Sequence, residues 1–382
     1  MARVLITGAQ GFLGSNLAWW FRSRQIQADF QKQAIDPVEL LFYTRQNQPE
    51  ELAALVAQAD FVYHLAGVNR PETDQEFDQV NRGLTAELIT ELEKRGQAAP
   101  PILFASSTQA ERDNLYGLSK RAAEKELEDY AERTGNRVLI YRLTNLFGKW
   151  CRPHYNSAVA TFCHQISRSL PITLNDPQVN LSLLYIDDVC SEFCARLFEP
   201  GPRRDIHREA GPCHQIKLGK LAETLLGFKS SRENLLLPDF ADPLMGKLYA
   251  TYISYLPPDQ FAYSLAQHED RRGHLAEIVK SEHAGQIFIS TTKPGITRGN
   301  HFHHTKVEKF CVVYGEAVVQ FRQIDGEEIF EYPVSGAQVQ VVDIPPGYTH
   351  RITNTGPGDL VTLFWSDQIF NAEAPDTFFL EL

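Results

Sequence analysis

The chain is 382 residues long, 43% hydrophobic and 22% charged, which is the composition of a folded protein too long for one ordinary core, so two domains are expected. Its 37 basic and 48 acidic side chains give a formal charge of −11, which argues against a general nucleic-acid binder and against an anionic-membrane binder. No apolar run approaches the roughly 20 residues that span a bilayer, and the opening run Val4-Leu5-Ile6 lacks the form of a signal peptide.

Along the first half, strand-like and helix-like patterns alternate. Residues 3–7 read as a strand, 15–24 as a helix, 40–44 as a strand and 50–59 as a helix. A buried-strand pattern follows at 61–65, then a helix at 78–95, a strand at 102–105, a long helix at 116–133 and a strand at 138–141. This alternation predicts a doubly wound parallel sheet of the α/β Rossmann type. From about residue 262 the pattern changes to short β runs at 286–291, 309–313, 317–322, 328–332, 338–343 and 360–365, which predicts an all-β barrel or jelly roll. The prolines Pro238, Pro243, Pro257 and Pro258 mark the junction, giving domains at 1–243 and 259–382 with a linker at 244–258. The cysteines Cys151, Cys163, Cys190, Cys194, Cys213 and Cys311 form no CxxC pair, which suits a reduced, cytoplasmic enzyme.

Gly8, Gly11 and Gly14 follow the first strand and open the first helix. Glycines let backbone approach a pyrophosphate, and a helix N-terminus presents unpaired N–H groups to it, here from the stretch Gly11-Phe12-Leu13-Gly14. Tyr116 and Lys120, four residues apart, share one helix face. A nearby ammonium stabilises a phenolate and lowers a tyrosine pKa from about 10 toward neutrality, making Tyr116 a usable general acid. Ser107 would hydrogen-bond the substrate carbonyl, although only eight residues separate it from Tyr116 and Ser106 competes for the role. The second strand runs into Arg45 rather than an acid, which suits a 2′-phosphate and favours NADPH over NADH. A solvated surface arginine is the alternative. Arg142, Asn145, Lys149, Arg152 and His154 lie downstream of the tyrosine helix and are candidates for gripping a substrate diphosphate.

These residues resemble the extended short-chain dehydrogenase/reductase family over about residues 1 to 240. The likeness is carried by the glycine loop, Asp60-Phe61-Val62-Tyr63-His64-Leu65-Ala66-Gly67, Asn81, Ser106-Ser107, Tyr116-Gly117-Leu118-Ser119-Lys120, Arg142 to Gly148 and Tyr185 to Val189. The resemblance implies cofactor contacts from Leu65, Ala66, Gly67, Asn81, Tyr116 and Lys120.

In the second half, Gly295, His301-Phe302-His303, Glu308 and Gly315 are followed by Pro345-Pro346-Gly347, His350 and Asn354. Three imidazoles and a carboxylate are a ligand set for a divalent first-row metal. Residues two apart on a strand face one side, so His301 and His303 are expected to point inward with Glu308 and His350, and His304 outward. The pattern resembles both sequence motifs of the cupin family, with Val339 where the second motif has glycine. Zinc is the first choice, with iron, manganese and nickel open. A purely structural metal and an oxygenase are alternatives. Asp270-Arg271-Arg272-Gly273 and Arg298-Gly299-Asn300-His301 are similar to metal-free cupin epimerases, in which the residue at His301 would be a base.

End to end, the chain resembles the bifunctional CapF-like enzymes of surface-polysaccharide synthesis. The resemblance implies metal-dependent C3 epimerisation of a UDP-4-keto-6-deoxy-HexNAc supplied by a partner 4,6-dehydratase. NADPH-dependent C4 reduction would then give UDP-2-acetamido-2,6-dideoxy-L-talose, in a homodimer. Alternatives are a single-activity 4-keto-sugar reductase with a structural or dimerising cupin, and an NADPH-sensing binding protein. Arg45→Ala is expected to weaken NADPH roughly ten- to a hundredfold while sparing NADH, as comparative cofactor titration would show; equal losses would remove the 2′-phosphate assignment.

Overall fold

In the computed structural model, which describes residues 1–71, 73–199, 204–265, 268–270, 273–275, 279, 285–368 and 373–382, the chain divides into two compact units. The first is Met1–Phe147, Tyr155–Ser157 and Ser182–Gln215; the second is Gly148–His154, Ala158–Leu181 and Ile216–Leu382.

Strand β1 (Ala2–Thr7) has fully buried Val4, Leu5 and Ile6 and leads through the glycine loop into α1 (Phe12–Gln31). Then come β2 (Val38–Tyr43), α2 (Pro49–Gln58) and β3 (Phe61–His64). Helix α2 starts one residue before the expected position, at Pro49, where proline suits the first helical turn and Gln48 and Glu51 form a reciprocal capping box. The predicted helix at 78–95 is a π-helical turn, Phe77–Gly83, continuing into α3 (Leu84–Glu93). Strand β4 (Ile102–Ser107), α4 (Leu115–Thr134) and β5 (Val138–Leu143) follow. Beyond them lie β6 (Asn145–Phe147), α5 (Ala158–Ser167), β7 (Asn180–Tyr185), α6 (Ile186–Phe198) and β8 (Arg204–Arg208).

The parallel sheet has strand order β2-β1-β3-β4-β5-β8. Order reverses between β1 and β3, so their carboxyl ends open a crevice, and Gly8 lies in it. On one face, Leu5, Val62, Ile102, Phe104 and Ile140 pack on Leu52 and Val56 of α2, Leu88 and Leu92 of α3, and Ala123, Leu127 and Tyr130 of α4. On the other, Tyr63 stacks with Phe193 of α6, and its hydroxyl donates to the Phe193 carbonyl at 2.7 Å. Adjacent β3 residues thus serve opposite faces, as the pleat requires.

The second unit contains α5, strand β9 (Cys213–Lys217) in part, α7 (Leu218–Asn234) and α8 (Pro243–Ser254). Residues 244–258, expected as a linker, are therefore mostly helix. Pro243 opens α8 rather than breaking it, because Asp242 caps the Leu244 N–H at 2.9 Å and proline suits the first helical position. Leu248, Tyr249, Ala250, Tyr252 and Ile253 are buried, which no exposed tether would be.

The β-rich remainder runs β10 (Ala262–Ser264), β11 (His268–Asp270), β12 (Gly273–Leu275), β13 (Gln286–Thr292), β14 (Thr297–Phe302) and β15 (Glu308–Tyr314). It continues through β16 (Glu316–Gln323), β17 (Ile329–Ser335), β18 (Gln340–Ile344), β19 (Tyr348–Asn354), β20 (Leu360–Ser366) and β21 (Phe378–Phe379). Two antiparallel five-stranded sheets form, ordered β10-β18-β15-β20-β13 and β17-β16-β19-β14-β21, the jelly-roll arrangement that the short alternating runs predict. Of the motif Asp270-Arg271-Arg272-Gly273, Arg271 and Arg272 lie outside the described residues.

Asp343 of β18 is fully buried. Lys309 of β15 meets it at 2.5 Å, and Arg232 of α7 meets its other oxygen. Lys309 also donates to the Tyr263 hydroxyl at 3.1 Å, and the Arg232 guanidinium lies 4.3 Å from the Tyr263 ring centre. Although burial alone would lower it, Asp343 holds the Lys309 pKa well above its ordinary value. Asp343→Ala leaves two buried cations unpaired and is expected to cost about 3–5 kcal/mol, measurable by denaturant unfolding; a loss under about 1 kcal/mol would mean water reaches the site.

Candidate functional site

Two constellations emerge, one in each unit. In the first, the end of β1 turns sharply at Gly8, whose φ is 70°. A Cβ there would come within 2.7 Å of the Ala66 Cα, so only glycine permits the approach. At Gly14 a Cβ would overlap the Gly8 carbonyl oxygen. Helix α1 begins after Gly11 with no side-chain cap and no acid in its first turn, which leaves its positive end for an anion. Arg45 is exposed in the turn after β2, beside the loop: the Gly8 N–H donates to the Tyr43 carbonyl at 2.9 Å, and Gln10 and Gln46 are hydrogen-bonded at 3.3 Å.

A buried chain of hydrogen bonds links this loop to the Asn81 turn. The Ala66 N–H donates to the Thr7 hydroxyl at 3.2 Å, so that hydroxyl donates to His64 Nδ1 at 2.8 Å. His64 Nε2 then carries the proton and donates to the Thr85 hydroxyl at 2.9 Å, which donates to the Asn81 carbonyl at 2.7 Å. Burial, aided by Lys120, pushes the His64 pKa down to about 3, so the ring is neutral. Sequence reading singled out no role for this histidine. The Asn81 side chain, expected as a cofactor contact, bonds to its neighbours: Nδ2 donates to the Val68 carbonyl and the Ser119 hydroxyl, each at 3.0 Å, while Oδ1 accepts from the Val68 N–H at 2.8 Å. It thereby holds the Val68 backbone that follows Leu65–Ala66–Gly67.

Ser107 and Tyr116 come together, with Lys120 one turn further along α4. Tyr116 hydrogen-bonds to Ser107, whose hydroxyl also accepts from the Gln109 N–H at 3.2 Å. Ser106 faces away and donates to Glu124 at 2.5 Å, which leaves Ser107 as the serine beside the tyrosine. The Lys120 ammonium donates to the Ala105 carbonyl at 2.9 Å and lies 4.7 Å from the Phe104 ring centre. Burial lowers the Lys120 pKa to about 8, against an opposing pull from Glu124. The expected depression of Tyr116 is absent from the protein alone: burial raises it, the Ser107 bond lowers it less, and Lys120 is turned to Ala105.

The residues of the anion-gripping set are divided between the two units. Arg142 is committed to protein carboxylates, with Nη2 2.6 Å from Glu124 Oε2, Nε 3.0 Å from Oε1 and Nη1 3.1 Å from Glu111, so it is no free substrate ligand. Asn145, in the same unit, donates to the Ser182 carbonyl at 3.1 Å. Lys149, Arg152 and His154 belong to the second unit. There Lys149 is buried with its ammonium 5.5 Å from the Trp150 ring centre, Arg152 is exposed, and the His154 ring meets His164 edge-on at 5.4 Å.

In the second constellation, β14 pairs with β19 so that His301 lies opposite His350, after a bulge between Gly299 and His301 at which Asn300 takes φ 58°. His303 lies just past the end of β14, and Glu308 opens β15 in the facing sheet. One potential ligand atom from each of His301, His303, Glu308 and His350 falls within 4.8 Å of the others. His303 Nε2 is 3.3 Å and His350 Nε2 3.9 Å from Glu308 Oε2, yet both nitrogens are buried without an aligned hydrogen bond. His303 Nδ1 donates to the Asp376 carbonyl at 2.5 Å, turning Nε2 inward. Asp376 is held by the N–H groups of His304, Thr305 and Lys306 at 2.9, 2.7 and 2.7 Å. Against the upward push of burial, the nearby histidines and these N–H groups bring its pKa to about 2.

Burial, with His303 next, lowers the His301 pKa to about 4, and burial, with His301 next, lowers His350 well below the usual range. These two imidazoles are neutral, while against the downward push of burial Glu308 raises the His303 pKa, and three imidazoles converging on a carboxylate fit a divalent metal. His304 is outside the ligand cluster, and its ring is buried between Phe302, two residues before it, and Phe378. Asp376 had no signal in the sequence, lying 73 residues from His303.

The sequence profile described as the NAD dependent epimerase/dehydratase family matches residues 4–202, and that described as the polysaccharide biosynthesis C-terminal domain matches 268–378. A Pseudomonas aeruginosa protein named UDP-2-acetamido-2,6-beta-L-arabino-hexul-4-ose reductase is 42% identical over 376 residues, covering 98% of each chain. The Bacillus subtilis spore coat polysaccharide biosynthesis protein SpsL is 25% identical over 122 residues, covering 29% of this chain and 81% of its own. The crystal structure of the capsular polysaccharide assembling protein CapF from Staphylococcus aureus superposes with a TM-score of 0.63 at 40% identity, covering 100% of both chains. Among the described residues, no helix is long and apolar enough to cross a membrane. Purified protein is expected to hold about one divalent metal per chain, and His303→Ala and His350→Ala are each expected to lose most of it, as elemental analysis would show. Full metal content in both variants would dissolve the four-ligand assignment.

Proposed function

This chain belongs to the NAD dependent epimerase/dehydratase family, in its CapF-like branch of nucleotide-sugar enzymes of polysaccharide synthesis, and from that premise we propose that it is bifunctional. Its substrate is a UDP-4-keto-6-deoxy-HexNAc supplied by a 4,6-dehydratase. The jelly roll inverts C3 and the parallel-sheet unit reduces C4, giving UDP-2-acetamido-2,6-dideoxy-L-talose. The observation that carries this reading is the presence on one chain of the Ser107–Tyr116–Lys120 triad behind a glycine loop and of the His301–His303–Glu308–His350 cage.

In the reductase half, NADPH supplies a hydride when bound. The protein's share is position and proton. Gly8, Gly11 and Gly14 would allow close backbone approach, the α1 N-terminus at Phe12 and Leu13 would hold the cofactor's diphosphate, and Arg45 would hold its 2′-phosphate. Ser107 orients the C4 carbonyl oxygen, Tyr116 gives it a proton, and the Lys120 ammonium stabilises the phenolate left behind.

In the jelly roll, the C3 hydrogen is acidic because it lies alpha to the C4 ketone. A divalent metal, zinc first, supplies Lewis-acid polarisation when bound. His301, His303, Glu308 and His350 would hold it, and Asp376 fixes the His303 tautomer that such holding needs.

With the UDP-4-keto sugar in D2O, NMR is expected to show deuterium entering C3 without NADPH, and C4 reduction when NADPH is added. Tyr116→Phe should stop NADPH oxidation while exchange continues, and His350→Ala should stop exchange while NADPH still binds. If His350→Ala forms the same product at an undiminished rate, the jelly roll is not a catalyst and a single-activity reductase replaces this reading.

A further inference from the structure

Glu124 is 2% exposed, and the reduction chemistry described above gives it no part. It lies on α4 one turn beyond Lys120 and two beyond Tyr116, on the same face. Its carboxylate accepts from the Ser106 hydroxyl at 2.5 Å and from Arg142 Nη2 at 2.6 Å and Nε at 3.0 Å. Ser106 and Arg142 are register partners on β4 and β5. Arg142 also reaches Glu111 at 3.1 Å, in the short helix Thr108–Glu111 that follows β4 and that Ser107 caps. One buried carboxylate thus joins both sheet strands, the following turn and the helix.

We propose that Glu124 is a positioning residue of the reductase site. By clamping the end of β4 to α4, it fixes the spacing between Ser107 and Tyr116, and its charge supports the Lys120 ammonium. This rests on the reductase reading above. Without the carboxylate, the buried Lys120 would lose the counter-charge that raises its pKa, and Arg142 would keep only Glu111. The ionisable groups whose charge bears on Lys120 are Glu124 on its own helix and His64 on β3, and His64 is neutral. Small errors of placement matter here, since a shift of about 1 Å can cost about a hundredfold in rate.

The test compares wild type with Glu124→Gln, which keeps shape and removes charge, and Glu124→Asp, which keeps charge. NADPH oxidation is followed with the UDP-4-keto sugar across pH, alongside NADPH binding by fluorescence. Glu124→Gln is expected to lose about ten- to a hundredfold in kcat with NADPH affinity within about twofold. Its alkaline limb is expected at lower pH, because Lys120 loses the charge that raises its pKa. Glu124→Asp should keep the wild-type limb and recover part of kcat. A Glu124→Gln protein with wild-type kcat and pH profile overturns the proposal, even if it melts earlier. Should it fail to fold, Ser106→Ala decides: it removes only the strand-end tie and is expected to lower kcat severalfold at constant KM for NADPH, and unchanged kcat overturns the proposal. A wild-type chain that oxidises no NADPH with the UDP-4-keto sugar would instead remove the reductase reading itself.

Discussion

A carboxylate withdrawn from water must find donors, and three that do so organise this protein. Losing one partner from a buried ion pair costs several kcal/mol, so these side chains fix their neighbours as firmly as their neighbours fix them. Asp343 takes Lys309 from a neighbouring strand and Arg232 from α7, tying a helix to the jelly roll. Glu124 takes Ser106 and Arg142, tying α4 to β4 and β5. Asp376 takes three consecutive backbone N–H groups and so brings the C-terminal segment onto the turn that carries His303 and His304. Such sites contribute less to net stability than apolar packing would, because desolvation offsets much of the attraction. They contribute direction, which packing supplies poorly.

The two constellations use burial for different ends. Around Lys120 and Tyr116, burial brings an ammonium down to about 8 and pushes a phenol up, so that neither group is in its ordinary state. A cofactor and substrate would alter both environments, and the Ser107–Tyr116 bond is already in place. Around His301 and His350, burial keeps imidazoles neutral, with lone pairs available for a cation. The apolar rings of Phe310 and Phe321 lie 5.6 and 6.4 Å from the His350 ring, limiting water in the cage. The Gly347 N–H holds the His303 carbonyl at 2.9 Å, and a Cβ on Gly347, whose φ is 80°, would press to 3.0 Å from Trp150. A glycine in the second motif is thus demanded by packing as well as by the turn.

Much was legible locally. The apolar run Val4–Ile6, the spaced glycines and the following helix are fixed by neighbours within a few residues, as is the inward convergence implied by His301, His303 and Glu308. The change from long to short hydrophobic runs announced two architectures because a helix and a strand bury residues at different periods. The stretch from residue 145 to 258 yielded no elements, although it holds α5 to α8. Its prolines read as breakers, and Pro243 turned out to be a helix start because Asp242 supplies the cap.

What the sequence by itself determined is the inventory: a glycine loop, a tyrosine and lysine one turn apart, and four metal-ligand side chains in two strand-like segments. Tertiary structure decided the partners. Ser107 rather than Ser106 meets Tyr116 because adjacent strand residues face opposite sides, and only the position of α4 says which side is the site. Arg142 is bound to Glu124, 18 residues earlier on another element, and His303 takes its tautomer from Asp376, 73 residues later. Side-chain roles of this kind depend on which donor and acceptor are brought within about 3 Å, a distance set by packing between segments that no local pattern encodes.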